Sequence, residues 1–363
     1  MKFKTEKETL LTAIQIVQNV ISPKTALPIL SNILIETQQN KIRLTATDLD
    51  IGITCVIPVS IQETGAITIP AKRFNDIVRE LPVNEVVVTT KKNNQVSIET
   101  DLCLFKIMGL APEEFPKLPE FKDKETIKID QATLKQMLTL TSFAVSSDES
   151  RYILSGILFK IQKNTITLVA TDGKRLAVAT QKPKQDIEKE VQIIVPLKTI
   201  QELSRNLQEE GDVSVVFGGN QVMFDLGSTA IISRLIEGEF PDYRQVVPPQ
   251  ADNKMKVGRG EFLLAVKRAA LLATPDYQAV KMELFKNKLV VSKSTPDVGE
   301  SREELAVEYQ GKELAIGFNP AYLIDVLKNL QEEVVELELT DSEKPGVIRT
   351  NGYVYIVLPM RLS

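Results

Sequence analysis

Apolar and polar residues alternate along this chain in two periods, and the order of the periods repeats. From Met1 the chain reads MKFKTEKETLLTAIQIV: apolar residues first at every second position, then at three- and four-residue spacing. The first period is that of a strand with one buried face, the second that of an amphipathic helix. The same switch occurs in IKIDQATLKQMLTLT from Ile127 and in MKVGRGEFLLAVKRAALL from Met255. In the second of these, Asp130 or Gln131 is placed to start the helix, and Leu134, Met137 and Leu138 share one face. Alternating runs follow each opening: ILSNILIETQQNKIRLTATD, YILSGILFKIQKNTITLVATD and VKMELFKNKLVVSKSTPD, with turns at QQNK, QKNT and KNK. A second helix then recurs as IPAKRFNDIVREL, VPLKTIQELSRNL and FNPAYLIDVLKNL. Its proline lies near the first turn, where a missing N–H costs nothing. Leu81, Leu207 and Leu330 end these helices, 126 and 123 residues apart. Further strands follow each, and EEFPKL and GEFPDY close the first two copies as turn-rich linkers.

Three copies of roughly 125 residues, matching in two helices and two sets of strands, predict a repeat architecture. The expected fold is α+β: three domains over 1–120, 121–250 and 251–363, each with two helices packed on two antiparallel sheets. A chain of 363 residues with 43 % hydrophobic and 25 % charged residues suits two or three globular domains. The opening MKFKTEKETLL has no apolar core of a secretion signal, and no apolar run reaches bilayer length. The two cysteines, Cys55 and Cys103, lie in strand-like apolar runs and read as small buried residues. There is no histidine, which excludes Ser–His and Cys–His nucleophile pairs and the common zinc sites. No cofactor or metal is expected.

The stretch LVATDGKRLAV, Leu168 to Val178, brings an aspartate, a glycine and two cations together as an active site would, with Asp172 the candidate carboxylate. Its echo LTATDLD at Leu44 to Asp50 favours a structural turn in which Asp172 braces the loop. The third copy, STPD, lacks the AT pair. The six helix segments together carry +4, leaving −8 on the rest of a chain whose net charge is −4. Scattered lysines solvating exposed helix faces would give that bias, and so would helices gathered around one axis to line it weakly positive. A domain of this size is roughly 36 Å across as a sphere. Three closed into a ring leave a hole of only roughly 6 Å, whereas six leave roughly 36 Å. B-form DNA with its major groove about 8.5 Å deep passes only the larger. One chain cannot encircle a duplex; two joined head to tail can.

Four segments, LPILSNILIE at 27–36, ATDGKRLAV at 170–178, EFPDYRQVVP at 239–248 and the terminal YIVLPMRLS, together with the repeat, resemble the bacterial DNA polymerase III beta subunit family, the sliding clamps, from end to end. The resemblance implies a ring-shaped homodimer of three-domain chains with helices inside and sheets outside. Such a ring has no catalysis; it encircles duplex DNA without sequence preference and makes the replicative polymerase processive. It also implies a cytoplasmic, nucleoid-associated protein with the replicative polymerase, the clamp loader, other polymerases and mismatch-repair proteins as partners. These insert short linear peptides into a groove between the second and third domains. Carried over by position, the groove is expected at Arg151, Leu154, Thr171, Gly173, Lys174, Arg175, Leu176, Pro241, Val246, Asn319, Tyr322, Ile356, Leu358, Pro359, Met360 and Arg361. Leu154, Leu176, Leu358 and Met360 would offer apolar wells, and Arg151 and Arg175 would reach peptide carbonyls or carboxylates. Read alone, VLPMRL also suits a buried terminal strand.

The dimer contact implied by the resemblance joins LCLFKI at 102–107, with Phe105 and Lys106, to Leu271, Leu272 and the acidic run Glu300, Glu303 and Glu304. That run also suits a solvated loop. Expected DNA contacts are Lys24, Tyr152 and Lys198. Several positions depart from the family pattern. Lys24 stands where arginine is frequent and Lys174 where histidine is, Ile153 replaces an aromatic, Asp148 replaces an amide, and Ser363 extends past the usual terminal leucine. Two rival readings remain: a DNA hydrolase holding Mg²⁺ on Asp48, Asp172 and nearby glutamates, and a monomeric peptide-binding scaffold that never encloses DNA.

Overall fold

The computed structural model describes residues 1–22, 27–121, 126–162, 164–183, 190–251 and 253–362. The first part of the chain runs β1 (Lys2–Glu6), α1 (Lys7–Gln18), β2 (Asn32–Gln38), β3 (Lys41–Thr47), β4 (Ile51–Pro58), β5 (Ser60–Glu63), β6 (Ala66–Pro70), α2 (Ala71–Glu80), β7 (Glu85–Thr90), β8 (Gln95–Glu99) and β9 (Leu104–Met108). The second runs β10 (Thr126–Asp130), α3 (Gln131–Thr141), β11 (Gly156–Gln162), β12 (Thr165–Thr171), β13 (Arg175–Gln181), β14 (Val191–Pro196), α4 (Leu197–Asn206), β15 (Asp212–Gly218), β16 (Gln221–Asp225) and β17 (Thr229–Arg234). The third runs β18 (Lys254–Gly258), α5 (Arg259–Ala270), β19 (Val280–Phe285), β20 (Lys288–Thr295), β21 (Gly299–Ala306), β22 (Leu314–Phe318), α6 (Pro320–Asn329), β23 (Val334–Glu338), β24 (Gly346–Thr350) and β25 (Tyr353–Val357).

The repeat is physical as well as sequential. Helix α1 buries Leu10, Ala13, Ile14 and Val17; α3 buries Leu134, Met137, Leu138 and Thr141; α5 buries Phe262, Ala265, Val266 and Ala269. All three sets fall at i, i+3, i+4 and i+7, one face of a helix. Leu81, Leu207 and Leu330, just past α2, α4 and α6, are all buried. The turns between paired strands share one left-handed residue: Gln39 (φ 51°), Asn164 (φ 59°) and Asn287 (φ 57°). Asparagine tolerates that conformation; glutamine adopts it at some cost.

Contacts divide the chain into two compact units. One comprises Met1–Ala132 and Lys198–Leu235, the other Thr133–Leu197 and Ile236–Ser363. The first unit holds a five-stranded sheet, β5-β1-β7-β8-β9, and an eight-stranded sheet, β10-β15-β16-β17-β4-β3-β2-β6. Helices α1 and α2 lie side by side there, with α1 against β3 and β4. The second unit holds an eight-stranded sheet, β14-β11-β12-β13-β25-β24-β23-β18, and a four-stranded sheet, β21-β20-β19-β22, with α5 beside α6 and against β20 and β21.

Each eight-stranded sheet joins two successive copies by one rule. The third strand of one copy's first meander pairs antiparallel with the last strand of the next: β4 with β17 (Ile53↔Ile231) and β13 with β25 (Leu176↔Ile356). The two remaining strands in those roles are β21 and β9. Both are sheet edges, paired within the described residues only to β20 and β8. The acidic run that also suited a loop is therefore part of an edge strand.

Candidate functional site

The segment from Thr171 to Arg175 is a side-chain-braced turn. Asp172 Oδ1 accepts from the backbone N–H of Lys174 (2.9 Å) and Arg175 (3.0 Å), while the Thr171 hydroxyl donates to the Arg175 carbonyl (2.6 Å) and accepts from Gly173 N–H (3.0 Å). The LTATDLD turn repeats this bond for bond. Asp48 Oδ1 accepts from Asp50 and Ile51, and the Thr47 hydroxyl links the Ile51 carbonyl to Leu49 N–H. The left-handed third position is Gly173 (φ 84°) in one turn and Leu49 (φ 82°) in the other. Only glycine adopts it without strain, and a Cβ on Gly173 would lie 2.9 Å from an Arg151 guanidinium nitrogen. Both aspartates thus serve their own turns. Among the described residues no group of three or more His, Cys, Asp or Glu is placed to hold a metal.

Arg175 points inward, contrary to the expectation that it reaches a bound peptide. Its Nε meets Asp172 Oδ2 at 3.0 Å, Nη1 meets Asp325 Oδ2 at 2.7 Å, and Nη2 donates to the Phe143 carbonyl. The guanidinium lies over the Tyr322 ring, 4.4 Å from its centroid, with Phe143 at 5.5 Å. Only 9 % of its side chain is exposed. Burial alone would lower its pKa, yet the hydrogen bond to Asp325 and the charges of Asp172 and Asp325 leave it raised. Burial likewise pushes the Tyr355 phenol far up, and that hydroxyl donates to the Tyr322 carbonyl at 2.9 Å. The planar fork is what lets one cation serve three segments of chain.

On its other side the turn walls a groove of about 430 Å³, lined by Leu154, Thr171, Gly173, Lys174, Arg175, Leu176, Phe240, Pro241, Asp242, Tyr243, Val246, Pro345, Ile356 and Leu358. Leu358 N–H donates to the Lys174 carbonyl at 2.9 Å, which fastens the end of β25 to the turn. Leu358 and Val246 are exposed at 44 % and 59 %, while Leu176, Phe240 and Ile356 form a buried floor with Leu158, Val178, Ile194 and Val347. Six expected residues stand outside this lining. Arg151 braces the turn from outside, donating to the Asp172 carbonyl (3.0 Å) and pairing with Asp148 (3.0 Å). Tyr322 lies under Arg175, and Asn319 caps α6 by accepting from Ala321 N–H at 2.9 Å. Pro359, Met360 and Arg361 run onward, with Met360 paired to the Gly317 backbone. Phe240, Asp242, Tyr243 and Pro345 are the additions. The first three lay in the EFPDY motif; Pro345 sits in the turn SEKPG and carried no signal.

The other expected contacts lie on separate elements. Phe105 and Lys106 are exposed on edge strand β9, beside exposed Leu102, Leu104 and Met108. Leu271, at the end of α5, is 81 % exposed, and Leu272 is half-buried. On β21, Glu303 is gripped bidentately by Arg268, Glu304 pairs with Arg302 at 2.8 Å, and Glu300 accepts from Ser294 at 3.1 Å. Tyr152 is 54 % exposed. The Lys198 ammonium is bound by Asp48 and the Val20 carbonyl. Lys24 lies outside the described residues. Cys55 is buried, and its thiol pKa is pushed up by that burial; Cys103 is half-buried.

Comparison with known proteins accounts for the whole chain. Family models of the DNA polymerase III beta subunit match it in order: the N-terminal domain over 1–119, the central domain over 128–242 and the C-terminal domain over 244–361. The chain is 33 % identical over 363 residues to the beta sliding clamp of Chlamydia muridarum, covering 100 % of this chain and 99 % of that one. Its fold matches the DNA polymerase sliding clamp of Bacillus subtilis with a TM-score of 0.95 at 30 % identity, over 100 % of both chains. It matches equally, at 0.95 and 32 % identity over 100 % of both, the Pseudomonas aeruginosa clamp crystallised with griselimycin.

Proposed function

The chain belongs to the DNA polymerase III beta subunit family, the bacterial DNA sliding clamps, and on that premise we propose how its parts divide the work. The protein is a non-catalytic processivity factor with the three-domain clamp fold. The copies are assigned to domains 1–120, 121–250 and 251–363. Polymerases, the clamp loader and repair proteins dock through short apolar peptides in the groove walled by the Thr171–Arg175 turn. The observation that carries this reading is the groove itself: an exposed rim, an apolar floor, and a turn held rigid from behind by Arg175. Arg151, Asn319, Tyr322, Pro359, Met360 and Arg361 are assigned to its supports and its onward extension.

The ring closes by the strand rule already used twice inside the chain. Since β4 takes β17 and β13 takes β25, β21 of one copy takes β9 of a second copy. Exposed edges invite such pairing, and the apolar side chains around Phe105 suit burial against Leu271 and Leu272. Lys106 is then brought beside the strand that carries Glu300, Glu303 and Glu304. Duplex DNA passes near Tyr152, Lys198 and Lys24. A lysine already shared with a carboxylate, as Lys198 is, attracts phosphate without fixing it, which suits sliding. A cytoplasmic, nucleoid-associated location follows from that role.

Removing Leu358 to Ser363 tests the groove. The truncated protein is expected to keep its circular-dichroism spectrum and lose binding of a fluorescent polymerase-tail peptide by at least about tenfold, since the exposed apolar rim residue Leu358 goes with it. Undiminished peptide affinity would refute the groove.

A further inference from the structure

The first junction, β4 with β17, repeats the second, β13 with β25, down to single bonds. Gly52 stands opposite Ile232 and Thr47 as Leu176 stands opposite Ile356 and Thr171. Arg234 N–H donates to the Asp50 carbonyl at 2.9 Å, as Leu358 N–H does to that of Lys174. The segments EEFPKL and GEFPDY follow in the same order, so Phe115 answers to Phe240 and Leu118 to Tyr243. The frame that carries the groove is therefore present in the first copy too.

Its contents differ. In the groove Leu176 supplies the floor and Tyr243 packs at the wall. In the first copy the floor position is Gly52, which has no side chain, and Leu118 takes the room. A Cβ on Gly52 would lie 2.6 Å from Leu118 Cδ2 and 3.1 Å from Cδ1. Glycine inside a strand marks such a close approach. Leu30, the counterpart of the half-buried groove residue Leu154, is 5 % exposed and packs with Ile29, Phe115 and Leu34. The rim differs as well: where the groove offers Leu358 and Lys174, the first copy pairs Arg234 with Asp50 at 3.7 Å.

We propose that this place is a second peptide site that the chain itself occupies, with the segment 115–118 lying in it as an intramolecular ligand. Leu118 stands for the apolar side chain of an external peptide, and the two compete for the space over Gly52. A tethered occupant acts at an effective concentration on the order of millimolar, so a free peptide at micromolar concentration leaves it in place. Each chain then offers one open site, the groove, and holds a second one closed. The charged rim removes the contact that Leu358 makes available in the groove, so the second site is the weaker of the two.

This assignment rests on the peptide-groove reading, and counting sites separates the two. Isothermal titration with an apolar peptide is expected to find one site per chain in wild type. Leu118→Ala is expected to show two, the second about tenfold weaker than the first, and to keep one when Leu358 to Ser363 are also removed. Leu118→Ala with Gly52→Leu, in which the new side chain refills the vacated space, is expected to return to one. Melting curves check that each variant is folded; Leu118→Val, shorter by one carbon, carries the same test should the alanine variant unfold. One site in the folded Leu118 variant, or a second site that persists with Gly52→Leu, overturns the inference while leaving the groove standing. Failure of the peptide to bind wild type overturns both.

Discussion

At Arg175 a single side chain connects the groove to the body of the third copy. Its fork joins Asp172 in the turn, Asp325 on α6 and the Phe143 carbonyl, and its face covers Tyr322. Removing one partner of a buried ion pair strands the others, at a cost of about 3–5 kcal/mol. Arg175→Ala is therefore expected to lower unfolding free energy by about that amount in urea titrations. Arg175→Lys is expected to recover only part, because an ammonium cannot present three donors in one plane. A variant as stable as wild type would show that the fork carries no weight. The turn itself was legible in sequence: TD in two copies foretold a braced loop, and both aspartates behave so. The direction of Arg175 was not, since it is decided by Asp325, 150 residues away. Similarly, nothing in the sequence linked Lys198 to Asp48 or singled out Pro345.

The elements were the most legible part of the chain, because alternation and helical spacing depend only on near neighbours. Less legible was which strands end as edges, since that depends on pairing across copies; the acidic stretch at Glu300 suited a loop as well as β21. Helix α4 carries a second property hidden from the sequence. Glu202 is 2 % exposed, and its Oε2 has no hydrogen-bond partner. Burial raises its pKa, more than the charge of Arg205, the bond from Asn19 and the charge of Lys198 lower it. In the window between the unfolded and folded pKa values, the folded state holds the extra proton. Stability from this group is present below the unfolded value and is lost as pH rises through the folded one. Glu202→Gln is expected to raise the melting temperature relative to wild type at pH 7 and to show a smaller gain at pH 4. Parallel stability curves across that range would show that the carboxyl titrates alike in both states.

For the whole molecule, persistence on DNA comes from enclosure, and enclosure depends on one kind of seam, made twice in a ring of two chains. Leu271 is 81 % exposed in the single chain, and burying such a side chain contributes about 1.5–3 kcal/mol. Leu271→Glu with Leu272→Glu is expected to give a folded species of one chain's mass by light scattering, where wild type gives two; an unchanged dimer mass would displace the seam from this edge. On the proposed β21–β9 pairing the seam is of the same kind as the two junctions inside each chain, β4 with β17 and β13 with β25, so closure would need no contact type absent from the monomer. A chain of net charge −4 is not drawn to DNA as a whole, and Lys198 is already tied to Asp48. Wild type loaded onto a covalently sealed circle is therefore expected to stay through a wash at high salt. Under the same wash it should leave linear DNA with free ends, and the double variant should leave both. Gripping by charge alone predicts no difference: salt strips circle and line equally, because each released counterion carries the same cost on either. Equal retention on the two substrates would therefore exclude the ring as the source of processivity.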